Sequence, residues 1–254
     1  MADELARIHR FEREIEMAGT DNVPSPLGFG VLTPELPLRF DSNYFFLEQP
    51  ADSREVLAEA DRIFGGAGYD HRMIVTFDDE LGERLGPQFH ALGWRTMRHL
   101  FMAQRRPPEK SADVSLVKEV DEAALRPGRT REILAQPWGR PEVAEQILDS
   151  KLLIGRRAQT RFFAIEADSE IVAWTDLYVA NGVAQVEDVA TVAEHRGKGY
   201  ATAVVLHAVE EGRRAGADLV FLVADGEDWP KVLYQRLGFD EVGRLHKFAT
   251  PPAP

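Results

Sequence analysis

Glu187-Asp-Val-Ala-Thr-Val-Ala-Glu-His-Arg-Gly-Lys-Gly-Tyr-Ala-Thr202 changes character twice within one short stretch. Val186, just ahead of it, with Val189 and Val192 gives an apolar, β-branched segment of high strand propensity. A basic turn with Gly197 and Gly199 follows, and then the first residues of a helical pattern. A strand that feeds a glycine turn and a helix converges backbone N–H groups and a positive helix end on one point, which suits a phosphate. Gly197 and Gly199 allow close backbone approach and unusual φ, while Arg196 and Lys198 add positive charge. Gly-x-Gly before a helix also occurs as a plain tight turn, so the anion reading depends on its surroundings.

Two familiar phosphate loops do not fit. A Walker loop needs Gly-Lys followed by Ser or Thr, and Lys198 is followed by Gly199. A dinucleotide fingerprint needs Gly or Ala three residues after its second Gly, where Thr202 stands. The pattern Arg-x-x-Gly-x-Ala is met by Arg196, Gly199 and Ala201. Downstream, Ala201, Val204, Val205, Ala208 and Val209 recur at helical spacing, with Glu210, Glu211, Arg213 and Arg214 on the wet side. Gly216 ends that helix, and Leu219–Val223 reads as a buried strand. Pro230 opens a last helix, which closes on Leu233-Tyr-x-x-Leu-Gly-Phe239.

With these two motifs in this order, residues 112–248 resemble the Gcn5-related N-acetyltransferase (GNAT) family. The resemblance implies an α/β (α+β) fold with a mixed, mostly antiparallel sheet flanked by helices. It also implies acetyl-CoA as co-substrate, no metal, and acetyl transfer to a primary amine by direct attack in a ternary complex. Carried onto this chain, main-chain groups of Ala190, Thr191 and Val192 would pair with the pantetheine arm like an added strand. Amides from Gly197, Lys198, Gly199, Tyr200, Ala201 and Thr202 would hold the pyrophosphate, with Arg196 adding positive charge; Lys198 reads equally as a solvent-facing lysine. Tyr234 takes the place of the general acid, its ordinary pKa of about 10 standing near a thiol's 8.5. A packing role for its ring is the competing reading. Glu187 is the candidate base, with Asp188 the alternative, since neighbouring strand residues face opposite sides. Glu227 replaces the asparagine usual in the family, which leaves contacts from that loop open. The acceptor pocket would lie around Trp138, Gly139 and Arg140, with Trp174 on a nearby strand.

Composition sets the outer bounds. The chain has 254 residues, 44% hydrophobic and 28% charged, ordinary for a globular protein. Zero cysteines exclude disulfides, thiolate metal sites and an acyl-cysteine intermediate. Neither His-Glu-x-x-His nor Gly-x-Ser-x-Gly occurs. No apolar run reaches membrane-spanning length, and the acidic start does not read as a signal peptide, so a cytoplasmic location is expected. A net charge of −12 argues against nucleic acid and suits a cationic amine, or simply solubility.

Upstream, residues 1–17 read as an amphipathic helix, 19–37 as a Pro- and Gly-rich connection, and 39–48 as a strand. A helix over 53–64, capped by Ser53, a strand at 73–77, a helix at 81–92 and a strand at 95–104 follow. Residues 105–110 read as a linker, which divides the chain into a domain over 1–106, a linker at 107–110 and a catalytic domain over 111–254. A new strand at 114–120, helices over 121–136 and 141–158, and a hairpin of 161–166 with 171–179 lead to the strand at 184–192. Shifting the numbering by 145 sets Leu92-Gly93-Trp94 on Leu237-Gly238-Phe239 and Ile74–Phe77 on Leu219–Leu222. The N-terminal part therefore reads as a degenerate, incomplete GNAT-like repeat. Arg196, Gly197, Gly199 and Tyr234 map to Ala51, Asp52, Arg54 and Phe89, so this copy has lost the chemistry. It would serve structure, the acceptor site or a homodimer interface. A functional alternative is a non-catalytic acyl-CoA-binding sensor or interaction module.

Overall fold

The computed structural model describes residues 2–250. Its first elements are α1 (Ala2–Phe11), β1 (Asp21–Ser25), β2 (Gly28–Leu32), β3 (Tyr44–Leu47), α2 (Ser53–Ala67), β4 (Met73–Thr76), α3 (Asp79–Ala91) and β5 (Arg95–Gln104). There follow β6 (Val117–Val120), α4 (Glu122–Leu134), α5 (Pro141–Ile154), β7 (Gln159–Ala167), β8 (Glu170–Ala180) and β9 (Val183–Thr191). The chain closes with α6 (Tyr200–Arg214), β10 (Leu219–Asp225), α7 (Pro230–Arg236) and β11 (Phe239–Ala249). Among the described residues no helix is long and apolar enough to cross a membrane.

Two compact units share the chain, and neither is one continuous stretch. The first takes the chain up to Phe11, Phe101–Ala224 and Asp228–Val242; the second takes Glu12–Leu100, Asp225–Glu227 and the chain from Gly243. In the first, β6, β7, β8 and β9 run antiparallel in that order, and β10 joins β9 in parallel. Helix α6 lies on β8 and β9 through Val204, Val205, Ala208 and Val209, all buried. Each of those valines contributes about 2 kcal/mol of apolar burial. In the second unit β1, β2 and β3 are antiparallel, β3 meets β4 in parallel, and β4 pairs antiparallel with β11. Its core gathers Phe45, Phe64, Ile74, Leu85, Phe89 and Phe248, the last two rings stacked 4.8 Å apart. Both units are thus mixed, mostly antiparallel sheets flanked by helices.

The structure departs from the sequence reading in three places. Residues 19–37 contain the hairpin β1–β2: Pro24 breaks the strand pattern, but β1 is an edge strand, where a missing N–H costs no ladder bond. The cap of α2 is Asp52 and not Ser53. Its carboxylate accepts from the amides of Arg54 and Glu55 at 2.9 Å each, and the Glu55 side chain accepts from the Asp52 amide, a capping box. Lastly, the 105–110 segment is irregular but tied down. The amides of Arg105 and Arg106 donate to the Gly238 carbonyl, and Glu109 donates to that of Arg236 at 2.8 Å. Gly238 has φ 88, and a Cβ there would stand 1.9 Å from the Arg106 carbonyl oxygen, so only glycine fits this crossing.

Candidate active site

The site begins with a strand that loses its neighbour. The parallel ladder joins Val183, Ala184 and Gln185 of β9 to Leu219, Val220 and Phe221 of β10. Strand β9 runs on to Thr191 and β10 to Asp225, with no further pairs between them among the described residues. On its other edge β9 stays paired to β8 as far as Thr191↔Ala173. Between Asp176↔Glu187 and Trp174↔Ala190 one residue, Thr175, opposes two, Asp188 and Val189. This is a β-bulge, and Asp188 sits in it with φ 53, a left-handed conformation that aspartate tolerates better than most residues. Bulges add local twist, which here accompanies the parting of β9 from β10. The freed edge of β9 carries main-chain donors and acceptors able to pair with an extended ligand.

The end of β9 leads into the glycine loop. Gly197 and Gly199 have φ 77 and 83, and a Cβ at either would meet nothing within 4 Å; the requirement is the backbone conformation, not crowding. Gly199 is the N-cap of α6 and offers no side chain to the helix end. The first intrahelical bond runs from Ala203 to the Gly199 carbonyl, so the amides of Tyr200, Ala201 and Thr202 are open to an anion. Arg196 folds back, its Nε donating to the Thr191 carbonyl at 3.2 Å, and Lys198 Nζ lies 3.2 Å from His195 Nδ1.

These parts line one cavity of about 900 Å³. Ala190, Thr191 and the whole run from His195 to Ala203 form one wall; Asp228, Trp229, Pro230, Leu233, Tyr234 and Leu237 form another. Every loop residue read from the sequence as a phosphate contact, Arg196 through Thr202, reaches it. Thr191 also brings a buried hydroxyl with no hydrogen-bond partner. Val192 is placed elsewhere: its amide donates to the Val172 carbonyl at 2.9 Å, and its side chain packs beside Leu125 and Trp174. Val192 therefore has no main-chain N–H to offer a ligand.

Tyr234 stands in the last turn of α7, 8% exposed, with its ring edge-on to Phe239 at 6.2 Å. Its hydroxyl has no hydrogen-bond partner among the described residues. Burial raises its pKa, helped by the negative charges of Glu187 and Asp228, so at neutral pH it is a phenol with a proton to donate. That same electrostatic link brings Glu187 and Tyr234 into one neighbourhood. The Glu187 carboxylate accepts from Gln185 Nε2 at 3.2 Å, and the Thr175 hydroxyl donates to its carbonyl.

Asp188 faces a different set of groups. Arg129 of α4 approaches it at 2.8 Å and Lys151 of α5 at 3.7 Å. Both cations also bind Asp176 of β8, fully buried: Arg129 pairs with it, and Lys151 lies 2.8 Å from Oδ2. The Tyr178 hydroxyl donates to the same carboxylate at 2.7 Å. Burial pushes the Asp188 carboxyl up, while Lys151 and Arg129 pull it down. The sequence reading did not single out Arg129, Lys151 or Asp176. A carboxylate inside the apolar run Ile171–Val179 and a lysine before Leu152-Leu153-Ile154 were the available signals, because buried charges occur in pairs.

Trp174 is 1% exposed in a core cluster with Leu125 and Ala164 and is not among the residues that line this cavity. Trp138 is 42% exposed and Arg140 is exposed, in the α4–α5 connection outside the cavity lining. Asp79, Glu83 and His246 converge closely enough to suggest a metal. Arg244 and Arg98 already neutralise those carboxylates, and His246 Nε2 lies 2.8 Å from Asp79.

Comparison with known proteins gives the arrangement a context. Residues 123–239 match the family model described as acetyltransferase (GNAT) family. A GCN5-related N-acetyltransferase from Kribbella flavida superposes with a TM-score of 0.63 at 19% identity, covering 99% of this chain and 95% of that one. A functionally unknown conserved protein from Staphylococcus epidermidis gives 0.65 at 16% identity, covering 91% and 93%. A tandem GNAT protein from the clavulanic acid biosynthesis pathway gives 0.51 at 17% identity, covering 79% and 70%. At such identities the likenesses concern the fold. No curated protein matches the sequence. The stretch 123–239 that matches the GNAT acetyltransferase family model holds the bulged strand, the glycine loop, α6 and α7.

Proposed function

We propose that the protein transfers an acetyl group from acetyl-CoA to the primary amine of a small molecule or peptide, by direct attack while both are bound. The observation that carries this reading is the meeting of three features on one cavity: the uncapped α6 N-terminus, the unpaired edge of β9 and the Tyr234 hydroxyl. When bound, acetyl-CoA supplies an activated thioester. Open amides of Tyr200, Ala201 and Thr202 hold its pyrophosphate, with Arg196 and Lys198 adding charge. The main chain at Ala190 and Thr191 aligns the pantetheine arm, and the unpartnered Thr191 hydroxyl offers it one more bond.

Glu187 takes the proton that the amine must lose: it lies on β9, and of the two carboxylates that act on Tyr234, Glu187 and Asp228, its charge acts the more strongly. Asp188, paired with Arg129 and Lys151, is the less available base. The raised phenol changes the role of Tyr234. With its pKa above 10, full proton transfer to a thiolate of pKa about 8.5 runs uphill. Its contribution is a hydrogen bond to the departing sulfur, with delivery of the proton linked to deprotonation of the attacking nitrogen.

The second unit fits the reading of a degenerate, incomplete GNAT-like half. At the shift of 145, α3 and α7 end together at Ala91 and Arg236, and Gly93 and Gly238 both have positive φ. A cysteine-free chain suits the reducing cytoplasm, where we place the protein. The test is thioester consumption and acceptor mass gain across a panel of amines. Amine-dependent turnover supports the enzyme. Tight coenzyme A binding without turnover of any amine would make the chain an acyl-CoA-binding module.

A further inference from the structure

The basic residues around the 105–110 segment divide into matched and unmatched. Arg105 pairs with Glu4, and Arg106 pairs with Asp240 at 2.9 Å. Lys110 and Arg236 form no ion pair among the described residues, and both line the large cavity. The backbone bond from Glu109 to the Arg236 carbonyl at 2.8 Å ties the segment that carries Lys110 to the end of α7, although 126 positions separate the two cations in the chain. A chain of net charge −12 thus leaves two cations without an ion pair among the described residues on one cavity lining, apart from the loop cations Arg196 and Lys198. Carboxylates on the same lining do not neutralise them: Asp113 is turned onto Ser115, Asp228 accepts from the Trp229 amide, and Glu132 makes no ion pair.

We propose that Lys110 and Arg236 form a second anion subsite, for the 3′-phosphate on the ribose of coenzyme A. The proposal rests on the reading of the cavity as a coenzyme A site. The glycine loop serves the pyrophosphate through backbone amides, a contact that any coenzyme A derivative shares. A phosphomonoester carries up to two charges and prefers cationic side chains that donate directly to its oxygens. Two unmatched cations distinct from the loop supply that, and they give the site a means to distinguish coenzyme A from dephospho-coenzyme A. Because both are exposed, the contribution is modest and screened by salt.

Affinities for coenzyme A and dephospho-coenzyme A, measured by titration calorimetry at low and high salt, test the assignment. The unsubstituted protein is expected to prefer coenzyme A by about tenfold at low salt, and by less at high salt. In the double variant Lys110→Gln/Arg236→Gln the ratio should collapse to about one. Lys198→Gln, which touches the shared pyrophosphate site, should weaken both ligands and preserve the ratio. An unchanged ratio in the double variant, or no preference in the unsubstituted protein, overturns the subsite while leaving the coenzyme A reading intact. No binding of either compound overturns both.

Discussion

Helices α6 and α2 each follow a strand and a short connection, and their first turns differ in one respect. At α2, Asp52 and Glu55 form a capping box that satisfies the amides of Arg54, Glu55 and Asp52. At α6 the cap is Gly199 and the corresponding amides stay open. A helix N-terminus is an anion site only while its own side chains leave it unfilled: a capping carboxylate is an internal anion that takes the place of a ligand's. One end is therefore closed by its own side chains and the other is left open. The cost of the open end, about 1 kcal/mol of forgone capping, falls on the first unit.

Four measurements test this contrast. The largest effect should come from Gly199→Asp, which gives α6 the kind of cap that α2 has. Coenzyme A affinity should fall by about 100-fold, roughly 2.7 kcal/mol, through charge repulsion and occupied amides. An unchanged Kd in calorimetry would remove the loop from the binding site. Tyr234→Phe should lower kcat by about tenfold to hundredfold and leave the coenzyme A Kd nearly unaltered. Undiminished turnover would return Tyr234 to a packing role.

Acid should act on the unit that carries α2. Burial and the charge of Lys247 hold the pKa of His99 down to about 4, below the ordinary 6.5. Since the unfolded chain binds that proton first, stability is complete above about pH 6.5 and declines as pH falls towards 4. His99→Gln should recover about 1–2 kcal/mol of that loss in denaturant titrations at pH 4.5, and an unchanged acid limb would refute the assignment. The smallest effect belongs to Asp52→Ala. It should cost about 1 kcal/mol of stability, read as a lower Tm, with coenzyme A affinity unmoved. A large change in that affinity would mean that the α2 end is not a sealed counterpart of the α6 end.

Local spacing accounts for what was readable early. The α6 pattern, the position of Pro230 and the Leu-Tyr-x-x-Leu-Gly-Phe run are short-range features, and the α6 and α7 helices stand where they indicated. The β1–β2 hairpin escaped because an edge strand that is largely exposed has no hydrophobic alternation to detect. Ser53 was mistaken for the cap because Asp52 and Ser53 are both good caps, and the choice depends on where the helix begins. The ionic cluster of Arg129, Lys151, Asp176 and Asp188 joins four separate elements, and no spacing rule reaches across them.

By itself the sequence determined a strand, a glycine loop and a helix, and its two motifs pointed to the family whose model residues 123–239 match. Positive φ at glycine and the 3.6-residue period are properties of neighbouring residues, so they are written locally. Tertiary structure alone decided which of these groups are free to act. The parting of β9 from β10, the bulge at Asp188, the diversion of Val192 and the bond that ties Glu109 to Arg236 all arise from pairings distant in the chain. Whether a donor or a charge is available to a ligand is settled by what already binds it, and that depends on the whole fold.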